Sequence, residues 1–560
     1  MNTQQISNML IKGLDPQPKL TRFTHFETSI AGVKTWVSEL NLKNMADISK
    51  QTRQTLHELA MLDITEQERF AYMEELRRPV QNLISSLHRH YLKQSIVLDP
   101  RGAGIAGLVQ QLRAQSIIIY FGIFERLKNQ PEPTKSKLSL FKRKQNPLAL
   151  CAHRALNELG GLLYESKLLY LTPFALLWQR IHEIYRDAAA LQLLGQTFEG
   201  SLSSIKEQTT VNQEFLRCVL LEMAGTNRLR QAEITKLYDF SAAWVELIQS
   251  SSEPGSHDLL LVDLKSDHPP LYVTSTQKTS HELIYINASE LLTHLNNLSN
   301  GHARYPKEKD ITSSNLVDYV AKSIHEPLER GFARHPYNGH LEVLLGLVAS
   351  HYHIGGKRSF GKIIKLKELM LAETKKSALV DKNLHFDDSP LKFGQASQDI
   401  DEEHLRIHKV NIINISPGGY RAKWGHEITN ALKTGEVISL RENSDESWQV
   451  GVIRWVQQNP GEGAEFGIEV ISSEATAAGV QPARPGDENP VYMRALILPE
   501  VKSLNRAASV LTPSYHFSPA HRIKLRVSNQ EVVAKLGQVY LTTASFNQYD
   551  FTITSAIARK

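Results

Sequence analysis

The chain has 560 residues, too many for one hydrophobic core and enough for about three or four domains. An apolar content of 41% against 22% charged residues excludes wholesale disorder, and a net charge of only +5 excludes a surface coated for non-specific nucleic-acid binding. Two cysteines, Cys151 and Cys218, make neither a disulfide framework nor a four-thiolate zinc site, which fits a reduced compartment. Residues 1–20 show no apolar run behind a basic start, and the most apolar window, 116–124, is far shorter than the ~20 residues of a spanning helix. A cytoplasmic protein without a transmembrane segment is expected.

In chain order, the first half reads as helices, with helical regions at 1–127 and 148–250. Thr65, followed three residues later by Glu68, has the capping-box pattern, and Phe70, Met73 and Leu76 then recur on one face. Pro79 interrupts the period, which Val80, Leu83, Ile84, Leu87 and Tyr91 resume. Helices are expected near 107–127, 148–170 and 174–194, the last opened by Thr172 and Pro173. A helical hairpin is expected over 212–248, turning at Gly225. Between the helical regions, 128–147 holds six basic residues (Lys128, Lys135, Lys137, Lys142, Arg143 and Lys144) against Glu132, and reads as a solvated basic linker.

The pattern changes near residue 257. Segments 259–264 and 271–275 flank a polar Asp267-His268-Pro269-Pro270 turn, and a short helix is expected over 289–298, giving an α+β segment at 257–300. Strand signals dominate beyond Ile324: a small antiparallel barrel over 322–472, a Pro/Gly linker at 473–490 and a β-rich module at 491–560. The fold class is therefore multidomain α+β, helical first and then β. In the last module Arg522, Lys524 and Arg526 alternate with Ile523, Leu525 and Val527, which predicts a solvated basic strand face.

Motifs for catalysis and metal binding are poor. Gly102, Gly104 and Gly107 match Gly-x-Gly-x-x-Gly, but helical patterns lie on both sides, so a glycine-rich helix junction is expected rather than a dinucleotide site. His351 and His353 would share a strand face, yet no neighbouring Cys or carboxylate completes a metal set. No Gly-x-Ser-x-Gly, P-loop or His-Glu-x-x-His pattern occurs, and neither an enzyme nor a cofactor is expected.

The informative residues lie between 330 and 472. Arg330 and Arg334 form Arg-x-x-x-Arg before an apolar strand, and Asn414, Ser416 and Gly419 form Asn-x-Ser-x-x-Gly. Strand patterns follow at 436–440, 448–456 and 465–471. This segment resembles the PilZ domain, the bacterial receptor module for cyclic di-GMP. The 80 positions between Arg334 and Asn414 exceed the family's usual gap, and the excess is assigned to a mobile insertion at about 355–403.

The resemblance implies a cyclic di-GMP site formed by Arg330, Arg334, Asn414, Ser416, Gly418 and Gly419. Arginine forks onto phosphate oxygens or guanine O6 and N7, short polar side chains read the remaining guanine edge, and glycines permit positive φ and close approach. It further implies a receptor that couples the second messenger to a partner controlling motility, type IV pili or surface attachment, with the helical half as the partner's contact. The competing reading is a scaffold or assembly protein whose barrel binds nothing.

Overall fold

The computed structural model describes residues 7–8, 20–92, 96, 98–129, 146–199, 208–273, 282–311, 315–325, 333–365, 402–425, 431–459, 463–483, 492–500, 507–515 and 517–557. The chain divides into two compact units, one made of 1–94, 98–226 and 230–329, the other of 95–97, 227–229 and 330–560.

The first unit is built on helices α1 (Ile30–Glu39), α2 (Met45–Met61), α3 (Glu66–His88), α4 (Pro100–Lys128), α5 (Pro147–Leu168), α6 (Leu177–Ala190), α7 (Val211–Met223) and α8 (Gln231–Trp244). The capping box forms as expected: Glu68 N donates to Thr65 Oγ1 at 3.3 Å and Thr65 N to Glu68 Oε2 at 3.0 Å. Pro79 does not break the helix. α3 runs through it, because Leu76, Val80, Leu83, Ile84 and Leu87 all bury on one stripe and that packing outweighs one missing donor. α5 is buried on nearly every side, packed against α4, α6, α7 and α8.

Burial on all sides forces polar groups inside, and they are paired. Glu165 accepts from His88 Nε2 at 2.8 Å, Tyr91 OH at 2.9 Å and Arg113 Nε at 3.2 Å. Burial alone would raise its carboxyl; His88, Arg113 and Tyr91 outweigh burial and hold it at about 2.

Several boundaries differ from the sequence reading. α6 starts at Leu177 rather than 174, and Thr172 and Pro173 do not open it. Its N-terminus is capped from a distance: the Asp267 carboxylate accepts from Leu176 N at 2.7 Å and Gln179 N at 3.0 Å. α4 starts at Pro100, capped by Asp99, so Gly102, Gly104 and Gly107 lie inside a helix and not at a junction. Lys128 belongs to α4 and pairs with Asp187 at 2.6 Å, and Pro147 opens α5; the rest of the expected basic linker, 130–145, lies outside the described residues.

Two short strands, β1 (Thr197–Glu199) and β2 (Gln208–Thr210), precede α7. A four-stranded sheet then follows, ordered β3 (Gln249–Ser251), β6 (Leu283–Asn287), β4 (Leu260–Asp263), β5 (Leu271–Tyr272). It contains the expected hairpin and is followed by α9 (Ser289–Ser299) and α10 (Asn315–His325). No helix among the described residues is long and apolar enough to cross a membrane.

The second unit holds two closed six-stranded antiparallel barrels. The first uses β7 (His335–Leu345), β8 (His408–Ser416), β9 (Gly419–Trp424), β10 (Val437–Arg441), β11 (Gln449–Asn459) and β12 (Gly463–Ser472), in the order β10-β11-β12-β9-β8-β7. The second uses β13 (Thr476–Pro482), β14 (Met493–Leu498), β15 (Ser509–Pro513), β16 (Arg522–Val527), β17 (Gln530–Thr542) and β18 (Phe546–Ile557), ordered β13-β14-β15-β18-β17-β16. β13 falls in the segment read as linker: its Ala477, Ala478 and Val480 are buried, so this Pro/Gly-bounded stretch is a barrel strand.

Between β7 and β8 the chain forms α11 (Gly346–Ile354) and α12 (Phe360–Ile363). His351 and His353 are therefore helical, not strand neighbours. His351 Nε2 bonds the Ala478 carbonyl at 3.0 Å and His353 Nε2 the Leu405 carbonyl at 2.8 Å. The near end of the expected mobile insertion is a packed wedge. Phe360, Ile363 and Ile364 join one core with Val437, Val450 and Val452 of the first barrel and Leu496, Leu511 and Phe546 of the second. Residues 366–401 lie outside the described residues.

The basic face expected on β16 is only half solvated. Arg522 is exposed, but Arg526 is buried: its Nε donates to Ile364 O at 2.6 Å, Nη1 to Glu531 Oε2 at 3.0 Å and Nη2 to Lys365 O at 3.3 Å.

Candidate functional site

The site follows from strand register in the first barrel. β7 and β8 pair antiparallel, with His335 opposite Ile415 and Pro336 opposite Asn414. Arg334, exposed and one residue before β7, therefore stands at the same end of the ladder as Ser416. Arg330 lies outside the described residues.

Across the next ladder Asn414 faces Arg421 and Ser416 faces Gly419. Directly opposed residues share a face. The inner face is taken by Ile412, Ala422, Trp424, Phe466 and Ile468, all buried, so Asn414, Ser416 and Arg421 belong to the outer one. Asn414 is half-buried, and its side chain makes no hydrogen bond to a described residue. Ser416 Oγ donates to the Gly419 carbonyl at 3.3 Å.

The two glycines differ. Gly418 accepts from Val470 N at 3.0 Å and has no positive φ, contrary to expectation. Gly419 has φ +150°, and a Cβ there would drive into the Ile468 carbonyl oxygen of β12. Only glycine fits at Gly419, because β9 and β12 approach with backbone against backbone.

Sequence reasoning missed the continuation of this row. Arg421 opposes Gly467, and Gly467 opposes Trp455. A Cβ on Gly467 would strike the Trp455 indole, so the missing side chain lets the ring lie across the strand. The Arg421 guanidinium is 5.9 Å from the Trp455 ring centroid and is pinned by Glu465, Nε to Oε2 at 2.9 Å. The available signal was parity: Arg421 sits between the inward positions Tyr420 and Ala422. The outer face at this end of the barrel thus offers Arg334, two short polar side chains, a glycine turn and an aromatic–guanidinium platform.

Comparison with known proteins agrees with this architecture. A family model for the N-terminal domain of the cyclic-di-GMP receptor FimW matches residues 31–254. A model for its middle PilZ domain matches 259–392 and 387–477, and one for its C-terminal β-barrel domain matches 478–554. The cyclic-di-GMP receptor FimW of Pseudomonas aeruginosa is 27% identical over 572 aligned positions, covering 96% of this chain and 92% of the relative. No solved structure matches. The chain is a PilZ-domain protein whose three domains match, in the same order, those of the cyclic-di-GMP receptor FimW.

Proposed function

We propose that the chain is a cyclic di-GMP receptor that acts by binding rather than catalysis, in the cytoplasm, and couples the second messenger to a partner controlling motility, pili or surface attachment. One observation carries the ligand assignment: the β7–β8 register brings Arg334 to the same barrel end as Asn414 and Ser416. Arg334, with Arg330 four residues earlier, forks onto phosphate and guanine, Asn414 and Ser416 read a guanine edge, Gly418 leaves room for the ligand against the backbone, and Gly419 holds that turn against β12. The Trp455 and Arg421 surface lies along the same row and offers a flat face for a base. The relative is itself named a cyclic-di-GMP receptor, which supports the reading.

The helical half presents the response to a protein partner. The test is calorimetric titration of the full chain with cyclic di-GMP, repeated for Arg334→Ala and Arg330→Ala. A charged hydrogen bond of about 1.5–3 kcal/mol predicts at least tenfold weaker binding for each variant. Absence of heat with the unaltered chain would instead favour a scaffold with a silent barrel.

A further inference from the structure

Gly104 has no reason inside the fold. It lies in the second turn of α4, and a helix disfavours glycine relative to alanine because glycine loses more backbone freedom on ordering. Gly32, Gly122, Gly160 and Gly161, in other turns of the same unit's helices, each have a neighbour against them. A Cβ on Gly161 would run into the Arg113 guanidinium, and one on Gly160 would stand 3.2 Å from Cys218 Sγ. Around Gly104 nothing lies within 4 Å of that position, and the residue is exposed.

Gly104 opens into a groove of about 570 Å³ between α2 and α4. Ser49, Lys50 and Arg53 of α2 line one side; Gly107, Leu108 and Gln111 of α4 continue the other. On α4 the spacing 104, 107, 108, 111 is one helix face. No carboxylate lines the groove. Lys50 and Arg53 are exposed, and neither pairs with a described residue; Arg101, exposed and likewise unpaired, stands one turn before Gly104.

We propose that this groove docks an acidic amphipathic helix of a protein partner. Its carboxylates meet Lys50, Arg53 and Arg101, and its small side chains sit against Gly104 and Gly107, where the missing side chains let two helix backbones approach. A helix suits the trough between α2 and α4 better than a nucleic-acid strand, since no aromatic stacking platform lines it. A small anion is held by enclosed donors, whereas these cations are spread along an open surface.

The full chain is panned against a display library of amphipathic helical peptides, and the enriched peptides are resynthesised with a fluorophore and titrated by anisotropy. The expected result is an excess of Asp and Glu on one peptide face and binding that weakens with salt. Lys50→Glu/Arg53→Glu should weaken binding at least tenfold, and Gly104→Trp should abolish it at unchanged helicity. Gly104→Ala should raise the melting temperature while weakening binding, a pairing that a purely structural glycine would not produce. An empty selection, peptides without a carboxylate excess, or equal binding to the double variant overturns the proposal. So does tighter, reversal-sensitive binding of single-stranded DNA, or a concentration-dependent dimer lost in the double variant, which makes the occupant a second copy.

Discussion

Replacing Arg526 by alanine tests how the second barrel is tied to the wedge before residue 366. The guanidinium serves three acceptors at once: Ile364 O, Lys365 O and the Glu531 carboxylate. Glu531 also accepts from Tyr492 OH at 2.8 Å. Burial by itself would raise the Glu531 carboxyl, but the Tyr492 and Arg526 hydrogen bonds outweigh it and hold the group below the usual carboxylate range. Arg526→Ala strands that carboxylate, which is 6% exposed, and leaves two backbone acceptors at the end of α12 unserved. Breaking a buried pair in this way costs about 3–5 kcal/mol.

Urea unfolding followed by near-UV circular dichroism should show that loss, and Arg522→Ala, on the exposed end of the same strand, should fall within about 0.5 kcal/mol of the parent. Arg526→Met/Glu531→Leu should recover most of the deficit, because it removes the charge instead of orphaning it. A loss below about 1 kcal/mol in Arg526→Ala, or no recovery in the double variant, would refute the argument that the pair anchors the wedge.

Gly419→Ala should destabilise the first barrel by about 2–3 kcal/mol in the same assay, through strain at positive φ and the clash with Ile468, whereas Gly418→Ala should cost under about 1 kcal/mol. Asn414→Ala should leave the unliganded melting temperature unchanged while lowering cyclic di-GMP affinity, since its side chain bonds no described residue; Ser416→Ala should weaken binding by only about three- to tenfold, as one neutral hydrogen bond is removed. Burial lowers His351 to about 4, the nearby Arg494 charge pushing the same way. The unfolded chain binds that proton at about 6.5, so its contribution to stability is present above that pH and is lost as pH falls toward 4, amounting to about 3 kcal/mol. His351→Gln, which retains a donor for Ala478, should flatten that part of the stability–pH curve.

The local devices were legible in the sequence because their physics is local. Thr65 and Glu68 are three residues apart and close their own capping box, and the alternation of strands after Ile324 requires only a pleat and one buried side. Asn414, Ser416 and Gly419 could be read as a unit because they flank the two-residue turn, Pro417-Gly418, that joins β8 to β9. Tertiary structure alone decided the rest. Register, not spacing, brought Arg334 level with Ser416 despite the residues between, and opposed Arg421 to Gly467 and Gly467 to Trp455. Asp267 caps α6 from 88 positions away, and Pro79 stays helical because a core covers that stripe. Arg526 reads as solvated in an alternating strand, yet the wedge at Ile364 covers it. A side chain's pattern states which face it occupies; what lies against that face is set by residues far along the chain, and this difference separates a solvated arginine from a buried anchor.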